Sequence, residues 1–122
     1  GDVYGPNDNR DKLIPYLLRE ELSSKIQLKS DGSGLFSPVY INDVVNEFNS
    51  AIKNPNKDNF ISKNITSELL TVKEFINIYK SVRNKDFEVL FSTTKHEYTK
   101  EFKNFETLDN VKYPLEKGLL LL

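Results

Sequence analysis

The sequence contains no cysteine, no methionine and no tryptophan. Without cysteine there are no disulfides and no thiolate metal ligands, so packing and polar contacts must supply all the stability. The one histidine, His96, stands in a charged, irregular stretch with no second histidine or carboxylate at ligand spacing, and no metal site is expected. No apolar run approaches the roughly 20 residues needed to cross a bilayer. Neither sign of charge predominates, since 17 Lys and Arg stand against 18 Asp and Glu for a net charge of -1. That balance supplies no overall field to gather nucleic acid or an anionic membrane. The absence of cysteine and of a basic, apolar leader leads us to expect a cytoplasmic setting, and heavy use of Asn, Lys, Ile and Ser suggests a bacterial source. At 122 residues the chain is expected to form one domain, 1–122.

What is present is a succession of short periodic segments. Gly5, Pro6, Asn7, Asp8 and Asn9 are turn formers, and Leu13, Ile14, Leu17, Leu18 and Leu22 then recur at helical spacing, predicting a helix from Arg10 to Ser24. Ile26 and Leu28 alternate with Gln27 and Lys29 as a strand, which stops at the turn Ser30 to Gly34. Val39, Tyr40 and Ile41 follow, and Asn42 is placed to cap a second helix with an apolar face of Val44, Val45, Phe48 and Ile52. Asn54 and Pro55 stop it. Phe60 and Ile61 predict a short strand, and Thr71 with Glu74 forms a capping box that opens a third helix carrying Val72, Phe75, Ile76, Tyr79 and Val82. Phe87, Val89 and Phe91 predict a strand with both faces partly covered, residues 93–112 are polar and irregular, and Pro114 opens a last helix that looks truncated at Leu122. Helices alternating with strands give an α/β class with short strands and about four helices.

Four stretches, in order, carry a family resemblance: Asp2-Val-Tyr-Gly-Pro6, Lys12-Leu-Ile-Pro15, Gly32-Ser-Gly34 with Pro38-Val-Tyr-Ile-Asn-Asp-Val44, and Leu70-Thr-Val-Lys-Glu-Phe75. Together they resemble the C-terminal, substrate-binding part of extended short-chain dehydrogenases/reductases, beginning just after the catalytic Tyr-x-x-x-Lys helix. The resemblance covers nearly the whole chain and implies that the N-terminal Rossmann half is absent. A complete relative would bind NAD or NADP on that half and hold a nucleoside-diphosphate sugar with the part present here. The implied activity is that of a sugar epimerase, dehydratase or reductase, with hydride transfer at the nicotinamide. The partners implied are a nucleotide sugar and either the absent Rossmann segment or a second copy. This chain alone is expected to hold no cofactor and to be inactive. The alternative is a noncatalytic ligand-binding or protein-interaction module that kept the fold.

Two segments imitate catalytic motifs. Gly32-Ser-Gly34-Leu-Phe-Ser37 resembles a dinucleotide fingerprint, yet Pro38, Val39 and Ile41 follow where a helix N-terminus is needed, so a turn between strands is expected. Tyr113-Pro-Leu-Glu-Lys117 has the Tyr-x-x-x-Lys spacing, but Pro114 puts Tyr113 at or before the helix start, where its ring packs the helix down. The substrate candidates implied by the resemblance are Tyr4, Lys12, Leu13, Pro15, Lys29 and Phe36. Lys12 would lie near the phosphates at a helix start or be a solvated lysine, Leu13 would wall the base with Pro15 or belong to the core, Lys29 would border the pocket, and the Tyr4 hydroxyl would meet substrate or a backbone group. Asp43 matches the motif acid and is expected to favour the helix dipole. Departures are Asp2 in place of a phosphate-contacting Asn, Phe36 in place of an Arg, and Phe60-Ile-Ser-Lys-Asn64 in place of a glycine-rich strand end. Losing a bidentate Arg forgoes about 1.5–3 kcal/mol, for which Lys29, Lys63 or Arg10 would have to compensate.

Overall fold

In the computed structural model the described residues are 2–55, 64–94 and 111–122, so the expected Phe60–Ile61 strand, Lys63 and His96 lie outside them. The first strand, β1 (Asp2–Tyr4), leads through the turn formers to α1 (Leu13–Glu20). That helix is shorter than its apolar period suggested. Asp8 binds the backbone N–H and guanidinium of Arg10, and Lys12 is extended at the N-cap, so residues 10–12 form a turn. Pro15 is accommodated because it lies in the first helical turn, where a backbone N–H has no intrahelical partner to lose. At the far end, pairing of the next strand pulls the chain out of the helix before Leu22, which is left exposed.

β2 (Lys25–Leu28) turns Ile26 and Leu28 inward and Lys25 and Gln27 outward. It pairs in parallel with β6 (Glu88–Phe91), in the register Lys25 to Glu88 through Leu28 to Phe91. In β6 only one face is covered, with Val89 and Phe91 half-buried and Glu88 and Leu90 exposed, so the expected cover on both faces is not met. β3 (Leu35–Phe36) pairs antiparallel with β5 (Leu70–Thr71), while β4 (Pro38–Tyr40) pairs in parallel with β1. Among the described residues these are three separate two-stranded ladders.

The second helix, α2 (Ile41–Lys53), starts directly from β4. Its N-cap is Tyr40 without a side-chain cap, so the expected role of Asn42 is not met. α3 (Val72–Arg83) has the full capping box: Thr71 Oγ1 accepts from Glu74 N (3.2 Å) and Glu74 Oε2 from Thr71 N (2.8 Å). Left-handed Asn84 ends it, and Lys85 N returns to Lys80 O (2.9 Å). α4 (Leu115–Leu120) begins after Pro114, as expected.

The core lies where α1, α3 and α4 meet the strands. Leu17, Phe75, Tyr79 and Leu119 are wholly buried there. Edge and tilted ring contacts link Phe36 to Phe75 (5.0 Å), Phe75 to Tyr79 (6.0 Å) and Tyr79 to Phe87 (6.4 Å). A second aromatic run joins Tyr4, Tyr40 and Tyr113, with centroids 5.5 and 5.0 Å apart. α4 fits against it because a side chain at Gly118 would fall on the Tyr4 hydroxyl. Behind β4, Ser37 Oγ accepts from Ser67 N (3.0 Å), and the Ser67 hydroxyl donates to Pro38 O. α2 departs from this inward pattern. Its one fully buried residue is Asp43, while Val45, Phe48 and Ile52 point to solvent.

Candidate functional site

The expected substrate residues fall on four elements: β1, α1, the end of β2 and β3. Lys12 is the exposed N-cap of α1, Leu13 is its half-buried first residue, and Pro15 in the same turn is buried. The Tyr16 hydroxyl donates to Gln27 O (3.1 Å), which fastens α1 to β2 and holds Lys29, exposed just beyond β2, on a neighbouring element. Phe36, on β3, is half-buried edge-on against Phe75. Tyr16 was not singled out from the sequence, because a tyrosine on a helix carries no signal for the strand its hydroxyl will meet.

Tyr4 sits deeper, on β1. It is buried, and its hydroxyl donates to Leu115 O (3.4 Å). Burial pushes its pKa well above the usual tyrosine value, with nearby Tyr40 and Asp43 adding to the effect. The group therefore stays protonated as a donor and is unsuited to exchange protons near neutral pH. Of its two expected partners, the backbone group is the one it meets here.

The glycine turn is built from its own side chains. Asp31 Oδ1 accepts from Ser33 N (2.9 Å) and Ser33 Oγ (2.6 Å), while Gly32 takes φ 75°, where a side chain would strike Phe91 and Lys73. Its carbonyls face α3: Gly34 O accepts from Val72 N (2.9 Å) and Gly32 O from Lys73 N (3.1 Å). Thr71 Oγ1 occupies the Glu74 N–H as well, so the first three donors of α3 are already engaged. The turn then runs into β3 and β4, as expected for a connection between strands. These residues do not fit a dinucleotide pyrophosphate, which requires N–H groups aimed outward at a helix start.

Nor does the Tyr113–Lys117 pair fit an acid/base dyad. Tyr113 precedes α4, and Lys117 Nζ lies 4.5 Å from its ring centroid while donating to Lys112 O (3.1 Å). Asp43 explains this geometry. Although it lies in the first turn of α2 as expected, it is 2% exposed, and its oxygens accept from Lys112 N (3.0 Å) and Tyr113 N (3.1 Å). It latches the entry to α4 across the fold, a role invisible in a motif read locally.

Among the positive groups expected to replace the Arg at position 36, Arg10 is already engaged. Its guanidinium pairs with Asp8 (2.8 and 2.7 Å) and donates to Val3 O (2.6 Å). That pairing holds the Asp8 carboxyl below the usual range. Lys12 and Lys29 are exposed. Lys73, beside Gly32, places its Nζ 5.2 Å from the Phe91 ring centroid.

No protein-family model matches the chain, and the search of curated proteins gives no match. Solved structures do match. The GDP-mannoheptose C4 reductase from Campylobacter jejuni, solved with NADP bound, superposes with a TM-score of 0.71 at 18% identity, over 98% of this chain and 45% of its own. The UDP-glucose 4-epimerase from Thermotoga maritima, solved with UDP-glucose, gives 0.68 at 24% identity, over 98% of this chain and 41% of its own. An NAD-dependent NDP-hexosamine 5,6-dehydratase of tunicamycin biosynthesis gives 0.64 at 20% identity, over 98% and 41%. The chain thus spans less than half the length of each. Likeness at these identities speaks for the fold, and the shared part is the C-terminal one. The chain has the fold of the C-terminal portion of the extended short-chain dehydrogenases/reductases.

Proposed function

We propose that this chain is the substrate-seating portion of an NAD(P)-dependent nucleotide-sugar epimerase, dehydratase or reductase, holding a nucleoside-diphosphate sugar for hydride transfer. The observation that carries the reading is coverage: 98% of the chain superposes on enzymes whose names specify a nucleotide sugar. In this reading Lys12 and the start of α1 face the diphosphate, where an uncapped helix terminus adds positive potential. Leu13, half-buried at the first position of α1, offers an apolar wall to the base, and Pro15 is buried in the same turn. Lys29 and Phe36 border the sugar side, and Tyr4 supports the site from beneath. The nicotinamide comes from a segment outside the chain, since neither the glycine turn nor Tyr113 and Lys117 have the geometry to hold or use it. When bound there, the cofactor supplies the hydride acceptor or donor, and the chain's task is to orient the sugar.

A second reading, a noncatalytic ligand-binding or protein-interaction module, draws support from two features. Phe36 brings no charge where the family has Arg, and Arg10 is committed to Asp8 and Val3. Calorimetric titration with UDP-, dTDP- and CDP-sugars separates the two. The first reading expects saturable binding to at least one, weakened roughly tenfold or more by Lys12→Ala, since a charge-assisted contact contributes about 1.5–3 kcal/mol. Silence across all three sugars leaves the second reading standing.

A further inference from the structure

α2 carries most of its apolar residues on the side that the other described residues leave uncovered. Ile41, Val45, Phe48 and Ile52 follow one another by four, three and four positions, so they form one stripe along three turns. Val45 is 47% exposed, Phe48 62% and Ile52 76%. Residues beside the stripe include the uncharged Asn42, Val44, Asn49 and Ala51, and the charge of Asp43 is turned inward to Lys112 and Tyr113. A strongly amphipathic helix with its apolar side in water and few charges around that side has the composition of an interface core.

We infer that this stripe seats the α/β segment that the matched enzymes possess and this chain does not span. The inference rests on the function proposed above and names the surface through which the two parts meet. Chain length selects the occupant: the matched enzymes devote more than half of their residues to parts without a counterpart here, while 98% of this chain is accounted for. A second copy is the poorer candidate. One 13-residue helix is about 20 Å long, and two such stripes face to face bury far less than the ~800 Å² per partner of a standard interface. A segment continuing an α/β layer can cover the helix along its whole length, as helices on parallel sheets are covered.

The chain has no cysteine, so F48C places a single thiol on the stripe. In the 122-residue chain alone this thiol reacts with a soluble thiol reagent like an unstructured cysteine, at every protein concentration. The occupant is then supplied as the unmatched portion of the Campylobacter GDP-mannoheptose reductase, joined ahead of Gly1, with its folding read by NADP binding. Reactivity falls by roughly tenfold or more in the joined protein, because labelling now requires local opening. Protection already present in the isolated chain at low concentration overturns the inference, since the chain's own residues then cover the stripe. Protection that grows with chain concentration overturns it in favour of a second copy. A joined protein whose thiol reacts as before, with or without NADP bound, overturns it as well. Nucleotide-sugar titration is read separately: protection without sugar binding keeps the docking face and removes the proposed function, and binding without protection does the reverse.

Discussion

Phe75→Ala should cost about 3–5 kcal/mol of folding stability, the range for truncating a buried phenylalanine. Phe75 is wholly buried on α3 and stands between Phe36 and Tyr79 in the aromatic run. Removing its ring leaves a cavity that the capped helix cannot collapse to fill, because α3 is held at both ends by its capping box and left-handed Asn84. Total stabilities are commonly about 5–15 kcal/mol, so the variant should be substantially unfolded or nearly so at modest urea. Phe75→Leu, which keeps much of the volume, should cost less than half as much. Urea unfolding followed by circular dichroism measures both. A loss below about 1 kcal/mol for the alanine variant would mean that the core has been misplaced.

The second large effect concerns Glu21, just after α1. Its carboxylate accepts from Tyr79 Oη (2.7 Å), Arg83 Nε (2.8 Å) and Arg83 Nη2 (3.1 Å), with Lys85 Nζ at 3.3 Å. Arg83 also donates to Leu119 O (3.1 Å), so this one carboxylate ties α1, α3 and α4 together. The Arg83 hydrogen bonds, with those of Tyr79 and Lys85, hold its pKa down at about 2 against an ordinary 4.5. Because the folded value is the lower one, the stabilisation is whole above pH 4.5 and drains away as the pH falls toward 2. A shift of this size corresponds to roughly 3 kcal/mol, reduced to about 2 because solvent still reaches the edge of the cluster. Glu21→Gln should therefore lose about 2 kcal/mol at pH 7 and show a flatter decline in stability between pH 4.5 and 2 than the parent. Parallel acid limbs for the two proteins would remove Glu21 from this role.

The sequence made the local features of this fold legible and concealed the long-range ones. The capping box at Thr71 and Glu74, the alternation of Ile26 and Leu28, and the stop at Asn54 all depend on residues within a few positions, and each stands as expected. The helical period carries α1 on past Leu22, while pairing of Lys25–Leu28 with a strand more than 60 positions away ends the helix first. The two-residue ladder between β3 and β5 is too short to leave a periodic trace. The period of α2 marks an amphipathic helix, but periodicity identifies an apolar side without saying whether this chain or another segment covers it. In the candidate site, the glycine turn and Tyr113 were separable from catalytic motifs by the prolines that follow them. The Asp43 latch, the Tyr16 staple and the commitment of Arg10 to Asp8 could not be foreseen, because each depends on which backbone group the fold brings within reach.

The central proposal is that the start of α1 and the end of β2, joined by the Tyr16–Gln27 hydrogen bond, seat a nucleoside-diphosphate sugar. Backbone amide NMR of the labelled chain during titration with UDP-glucose and its dTDP and CDP counterparts tests it most directly. The account predicts saturable shifts concentrated at Lys12, Leu13, Tyr16, Lys29 and Phe36 for at least one sugar, with the amides of Phe48 and Ile52 unmoved. Saturable shifts gathered elsewhere, or none with any of the three, would contradict it.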